Sequence, residues 1–316
     1  MISVKILRKT QEAIGICSYE LGRPDGAALP AFSAGSHIDV QLPCGLTRQY
    51  SLCNNASKQH RYRIAVLRDP ASRGGSLAMH DALNEGDMVL ISEPRNHFPL
   101  VHAKKTWLFA DGIGVTPLLC MAQRLHSIGA DFEMHYCTRS PDRTAFYDEI
   151  AASSFAQRVK FHHDDGAPGQ RLDVAKIIAR PEAGAHIYVC GPPGFIAWVV
   201  QTAARQGWPT DQVHLEYFGA APQDTTGDQA FQVKIASSGA TYEIPKDKSV
   251  TQALQAHGIE ILVSCEQGVC GTCITRVLDG ECEHRDLYFT DEEKAKHDQF
   301  TPCCSRAKSR LLVLDL

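Results

Sequence analysis

Nowhere in these 316 residues is there an apolar run long enough to cross a bilayer, and Met1 to Arg8 lacks the apolar h-region of a secretory signal. The expectation is a cytoplasmic protein without membrane contact. The formal net charge of −4 and the lack of any dense Lys/Arg tract leave no signature for nucleic acid. Internal repeats and low-complexity tracts are absent, which sets repeat architectures aside. No Ser-His-Asp or paired-carboxylate arrangement stands out, so hydrolytic chemistry has no candidate. A complete G-x-G-x-x-G is missing too, and there is only one C-x2-C pair, whereas zinc knuckles usually come in twos.

What is present is a run of cysteines. Cys265-Glu-Gln-Gly-Val-Cys270-Gly-Thr-Cys273, followed later by Cys303, has the C-x4-C-x2-C…C spacing with which four thiolates hold a plant-type 2Fe-2S cluster. Gly268 and Gly271 let the backbone bend round such a cluster and turn N–H donors toward its sulfurs. Interleaved with glycine at this density, the cysteines read as an iron–sulfur electron carrier and not as a disulfide framework. The chain holds 12 cysteines; the eight outside this set are scattered and read as reduced thiols. Fourteen histidines raise the question of another metal. His162-His163-Asp164-Asp165 follows a strand and lacks a helical i, i+4 pair, so it reads as surface or turn, as does His284. Cys282 reads as a bystander.

Length alone suggests two or three domains. Residues 1 to about 100 alternate apolar and polar residues in short bursts, at Ile2 to Leu7, His37 to Leu42, Tyr62 to Leu67 and Met88 to Ile91, as in an antiparallel barrel. Only Ser76 to Asn84 is helical in pattern. From about residue 103, strands at 106–110, 132–137, 159–163, 186–190 and 213–217 alternate with helical segments such as Val115 to Ile128. That rhythm implies a parallel sheet covered on both faces. The polar stretch 220–228 reads as a linker. After it come a hairpin of 231–236 and 242–245, and a helix from Val250 to His257 capped by Ser249.

Two kinds of turn carry chemistry. Arg73-Gly74-Gly75-Ser76 opens the one helix of the first region, and free N–H groups at a helix N-terminus make an anion site. Arg48, in Arg48-Gln-Tyr50-Ser51, could add a guanidinium to a phosphate, while Tyr50 lies against a flat ring system and Ser51 bonds its edge. An ordinary turn with a surface arginine stays open as the alternative. Asp111-Gly112-Ile113-Gly114-Val115-Thr116-Pro117 joins the first parallel strand to its helix, and Cys190-Gly191-Pro192-Pro193-Gly194 repeats that form later. Dinucleotides bind at such strand-to-helix junctions.

In order along the chain, RQYS, RGGS, DGIGVTP, YVCGPPG, EYFGA, CEQGVCGTC and the terminal CCSRAKSRLLVLDL resemble the phthalate dioxygenase reductase family, the NADH-dependent reductase components of Rieske-type aromatic oxygenases. The resemblance covers essentially the whole chain. It implies a multidomain α/β and β protein in three modules. Residues 1–100 would form an antiparallel flavin-binding β-barrel holding FMN. Residues 101–225 would form a parallel-sheet NAD-binding domain of the ferredoxin reductase-like kind, and 226–316 a plant-type 2Fe-2S ferredoxin of β-grasp fold. By motif, Arg48, Tyr50 and Ser51 would contact the flavin, and Gly74, Gly75 and Ser76 its phosphate. Gly112, Gly114 and Thr116 would line the dinucleotide path, with Cys190, Gly191 and Pro192 beside the nicotinamide. Thr116, Cys190, Glu216 and Phe218 are the implied catalytic set, and Phe218 also closes the flavin pocket. Cys265, Cys270, Cys273 and Cys303 would hold the cluster.

Two departures stand out. Asp111 occupies a position where relatives carry glycine, and a carboxylate there either turns away or weakens nucleotide binding. Cys303 and Cys304 are adjacent candidates for the fourth ligand; in an extended segment they would point to opposite sides, and the following Ser-Arg-Ala favours Cys303. NADH is implied over NADPH, although Arg139 after the second central strand could also meet a 2′-phosphate. The stretch of Asp279, Glu281, Glu283, Asp286, Asp291, Glu292 and Glu293 either steers docking of a basic partner face or is a solvated surface. Other readings are a reductase for a cytochrome P450 and a redox-sensing iron–sulfur flavoprotein.

Overall fold

The structure is a computed structural model that describes residues 1–220 and 223–316; part of the expected linker, 221 and 222, lies outside the described residues. The chain forms two compact units, Met1–Glu216 and Tyr217–Leu316. Among the described residues, no helix is long and apolar enough to cross a membrane.

The first unit begins with strands β1 (Ile2–Ala13), β2 (Ile16–Gly22), β3 (Ser36–Gln41), β4 (Thr47–Ser51) and β5 (Tyr62–Leu67). Helix α1 (Gly75–Ala82) precedes β6 (Met88–Ile91) and β7 (Arg95–Asn96). These strands pair antiparallel in the order β4-β3-β6-β1-β2-β5, with β7 on β3. Alternation explains the arrangement. Val4 and Ile6, Tyr19 and Leu21, Ile38 and Val40, Tyr62, Ile64 and Val66, and Val89 and Ile91 all turn to one buried face. Each such side chain contributes about 1.5–3 kcal/mol on leaving water. The Tyr19 hydroxyl, donating to the Met79 carbonyl at 2.7 Å, ties α1 to the sheet. The terminal strands β4 and β5 share no ladder among the described residues, so the pairing is a path and not a hydrogen-bonded ring.

The same unit continues with β8 (Lys105–Asp111), α2 (Val115–Ser127), β9 (Phe132–Thr138), α3 (Tyr147–Ala151), β10 (Val159–His163), α4 (Val174–Ile177), β11 (Ala185–Cys190), α5 (Pro193–Arg205) and β12 (Val213–Glu216). All five strands are parallel, in the order β10-β9-β8-β11-β12. Thr106 to Ala110 of β8 are buried in succession, as a strand covered on both faces must be. The order reverses between β8 and β11, and the crevice for a ligand in such sheets opens at the carboxyl ends there.

The second unit opens with the hairpin β13 (Phe231–Ile235) and β14 (Thr241–Ile244), then α6 (Val250–Gln255). Ser249 and Gln252 cap α6 reciprocally, and the helix stops two residues short of the expected His257. After the cysteine loop come β15 (Thr275–Asp279), β16 (Cys282–Glu283), α7 (Asp291–Lys294), β17 (Gln299–Phe300), β18 (Arg306–Ala307) and β19 (Leu311–Leu314). A mixed sheet runs β14-β13-β19-β15-β17, with β13 and β19 parallel, and β16 pairs with β18. Phe231, Val233, Ile235, Leu254, Val277, Leu312 and Leu314 fill its core.

Candidate electron-transfer sites

In the first unit, register brings the predicted residues together. Cys190 at the end of β11 lies opposite Ala110 of β8 on one side and Glu216 of β12 on the other. Gly112, at φ 54°, turns the chain from β8 into a short 3-10 segment, Gly112–Gly114, that leads into α2. Gly114 packs so closely that a Cβ would overlap the Cys190 carbonyl, and only glycine fits. Thr116 is buried in the first turn of α2, its hydroxyl donating to the Ile113 carbonyl at 3.0 Å. Gly191 and Pro192 follow, and Pro193 starts α5. Ser51, from the end of β4, donates to Glu216 Oε2 at 3.4 Å and so joins the antiparallel sheet to the parallel edge. Burial pushes the Glu216 carboxyl up to about 8, opposed by the Ser51 hydrogen bond, which leaves it protonated at neutral pH.

The phosphate-type cradle is also built. Gly74 takes a left-handed conformation at φ 91° and caps α1. A Cβ on Gly75 would stand 2.7 Å from Arg48 Cγ and 2.9 Å from Arg48 Nε, so the arginine lies across the helix N-terminus. The Ser76 hydroxyl accepts the Asp69 N–H at 3.2 Å. Tyr50 is half-buried beside the core, and burial raises its phenol. A helix N-terminus with an adjacent guanidinium fits a phosphate, and an apolar-backed phenol fits a ring system. Asp111 ends β8 opposite Cys137. Burial first, then Asp164, push its carboxyl up to about 6 against the pull of Arg139.

In the second unit, Cys265, Cys270, Cys273 and Cys303 are all buried. Their sulfurs share hydrogen bonds: Cys270 and Cys303 both bond Cys265, and Cys303 bonds Cys273 as well. The hydrogen bonds from Cys270 and Cys303 pull the Cys265 thiol well below its usual range, and the same bonds push those of Cys270 and Cys303 up. The Gln267 N–H also points at Cys265 Sγ, at 3.3 Å. Glu266, Gly268 and Gly271 all have positive φ, which curls the loop inward. Four converging soft donors with an amide aimed among them fit an iron–sulfur cluster.

The expectation for Cys304 needs correcting in its reason. Residues 302–304 form a turn, with the Ser305 and Cys304 N–H groups on the Thr301 carbonyl, so the rule for extended neighbours does not apply. The Cys304 sulfur lies 3.3 Å from Thr301 Oγ1 and 3.8 Å from Ser305 Oγ and also bonds Cys303, whereas the bonds to Cys265 and Cys273 come from Cys303.

The acidic stretch also divides. Asp286 is buried and Glu283 pairs with Arg285, so neither offers a docking charge, while Asp291 and Glu292 are exposed. Asp286 instead accepts the Tyr288 and Phe289 N–H groups at 3.2 and 2.9 Å. Gly268 abuts Asp286, and Gly271 abuts the Tyr288 ring, so these two residues back the cysteine loop. Nothing in the local pattern marked them. His284, read as surface, has a side chain only 6% exposed. Phe218 belongs to the second unit, where its ring is exposed.

A nucleotide-type sheet edge and a four-cysteine loop in one chain define an electron-transfer oxidoreductase. Residues 233–308 match the family model of a 2Fe-2S iron–sulfur cluster binding domain. The chain is 54% identical to a vanillate O-demethylase oxidoreductase from a Pseudomonas species, over 100% of both chains. It is 41% identical to the solved structure of a phthalate dioxygenase reductase, described as modular for electron transfer from pyridine nucleotides to [2Fe-2S]. The TM-score is 0.79, with 100% of this chain and 98% of that one covered. An intact type IV self-sufficient cytochrome P450 monooxygenase matches at 37% identity and a TM-score of 0.85, over 100% of this chain and 41% of that one. The chain belongs to the phthalate dioxygenase reductase family.

Proposed function

We propose that this chain is the NADH-dependent reductase component of a Rieske-type aromatic oxygenase, one that drives O-demethylation of a vanillate-like substrate. Electrons pass from NADH through FMN to the 2Fe-2S cluster and then singly to the oxygenase. The observation that carries the reading is full-length identity of 54% to a vanillate O-demethylase oxidoreductase. The proposed modules are an FMN barrel at 1–100, an NAD domain at 101–225 and a ferredoxin at 226–316, in a cytoplasmic protein.

When bound, the flavin supplies the one step the other groups lack, taking two electrons together and giving them up one at a time. The residues do the positioning. Arg48 and the α1 N-terminus, with Gly74, Gly75 and Ser76, hold a phosphate, while Tyr50 and Ser51 meet the ring. Gly112 and Gly114 admit the nucleotide diphosphate, and Gly191 and Pro192 border the nicotinamide. Thr116, Cys190, Glu216 and Phe218 form the proposed catalytic set. Glu216, neutral at pH 7 and held by Ser51, keeps a proton and no negative charge where hydride is to move. Cys265, Cys270, Cys273 and Cys303 ligate the cluster.

The test is reconstitution. Acid-released flavin should co-migrate with FMN, and NADH should rapidly reduce cytochrome c. Mixed with a Rieske-type vanillate oxygenase component and NADH, the protein should release formaldehyde from vanillate. A colourless protein, or one idle with NADH, would end the proposal. A second reading has one observation behind it, the likeness of the whole chain to part of a self-sufficient cytochrome P450 monooxygenase. Turnover of a separate P450 with none of the Rieske oxygenase would favour it.

A further inference from the structure

Behind the cysteine loop, a second group of metal-binding side chains has no part in the electron path. Cys282 of β16, His284 just after it and His297 after α7 each offer a ligand atom, and these atoms all lie within 4.8 Å of one another. We propose that they form a structural site for a zinc-class divalent cation.

One thiol and two imidazoles suit a borderline-soft ion, Zn²⁺ before Mg²⁺ or Ca²⁺, which take oxygen. Ligand atoms in a tetrahedral zinc site stand about 3.5 Å apart, so the three groups need to close in by at most about 1.3 Å.

The sharper observation is His284. Its side chain is only 6% exposed, and its Nδ1 lies 3.1 Å from Asp286 Oδ1. Its other ring nitrogen, Nε2, is buried and has no hydrogen-bond partner. A carboxylate on one imidazole nitrogen and a bare lone pair on the other is the arrangement that prepares histidine for a metal. A buried unpartnered nitrogen otherwise carries a standing cost. His297 is the adjustable member. Its Nδ1 accepts the Cys282 N–H at 3.2 Å. A cation on Nδ1 displaces that N–H, and one on Nε2 moves the ring proton to Nδ1, so either way a single neutral hydrogen bond is exchanged for a metal bond. Cys282 is fully buried and gives up its thiol proton to solvent on binding. With three protein ligands, water would take the fourth place of a tetrahedral site.

The site has a role because of Asp286. Its carboxylate orients His284 and accepts two backbone N–H groups, while its Cα and Cβ lie against Gly268 of the cysteine loop. The Leu287 N–H also donates to the Gly268 carbonyl at 3.0 Å. A cation held by His284 would therefore immobilise the wall behind the cluster.

The experiment uses the full-length, cluster-loaded protein and Zn²⁺ alone, in competition with a chromogenic zinc indicator. One equivalent should bind at submicromolar affinity without loss of iron or of the cluster's visible absorbance, and Tm should rise. His284→Asn and His297→Ala should each weaken binding at least about 100-fold, and Asp286→Asn about tenfold. His297 is half-exposed, so His297→Ala remains informative if the variant at His284 does not fold. No uptake, uptake unchanged in His297→Ala, or uptake only with loss of iron would overturn the site.

Discussion

At the carboxyl edge of the parallel sheet, strands set the position of every site residue; in the 264–274 loop, sulfur does. Cys190 and Glu216 are neighbours because β11 and β12 pair in register, and the Gly112–Gly114 turn follows from the end of β8. These elements hold their geometry through ladder hydrogen bonds and buried aliphatic side chains. The cysteine loop has no helix or strand of its own. Its curl rests on three residues of positive φ and on side chains behind it, Asp286 and Tyr288. The lesson is that an exchangeable ligand is met by a preformed edge, whereas a resident cluster can complete the loop that holds it.

The sharpest way to break this contrast is to remove one sulfur. Cys270→Ser should abolish cluster retention and lower NADH-dependent cytochrome c reduction at least about 100-fold, while ferricyanide reduction stays within about twofold. Cys304→Ser should keep the cluster. A loaded Cys270→Ser protein would remove Cys270 from the ligand set, and a Cys304→Ser protein without iron would exchange the assignments at 303 and 304.

The next test addresses the preformed edge. Arg48→Ala removes one charge-assisted contact worth about 1.5–3 kcal/mol, a loss of about 10- to 100-fold in flavin affinity. Flavin fluorescence on dilution reads it directly. The iron content should not change.

The smallest effect is the most diagnostic. Glu216 is protonated below about 8 and ionises above it. Ionisation places a buried negative charge beside the proposed hydride path, so flavin reduction by NADH should slow several-fold as pH rises through about 8. Glu216→Gln cannot ionise, and its profile should be flat there. Stability has the same sign. The raised carboxyl pKa means that Glu216's contribution is full below about 4.5 and is lost as pH rises toward about 8. Glu216→Gln should therefore raise Tm more at pH 8.5 than at pH 5, by thermal scans in matched buffers.

Much of this was legible where the signal is local. The C-x4-C-x2-C spacing, the strand at Val159–His163 and the capping serine of α6 all lie within short windows. What escaped reading depends on distant partners. Ser51 and Glu216 are 165 positions apart, and no periodicity links them. Short strands such as β15, bulged at its end, carry too few alternations to announce themselves. Cysteines 303 and 304 look like neighbours in an extended segment only if Pro302 is passed over, since that proline is the turn cue beside them. The burial of His284 and Asp286 is likewise a property of the surrounding fold and not of the acidic sequence in which they sit.

Gly114 touches the Cys190 carbonyl with no side chain between them. The two strand-to-helix junctions are thus one mechanical piece. A ligand that pushes on the first loop also pushes on the second, and drift toward a larger residue at position 114 is closed off by the Cys190 carbonyl before any ligand is considered.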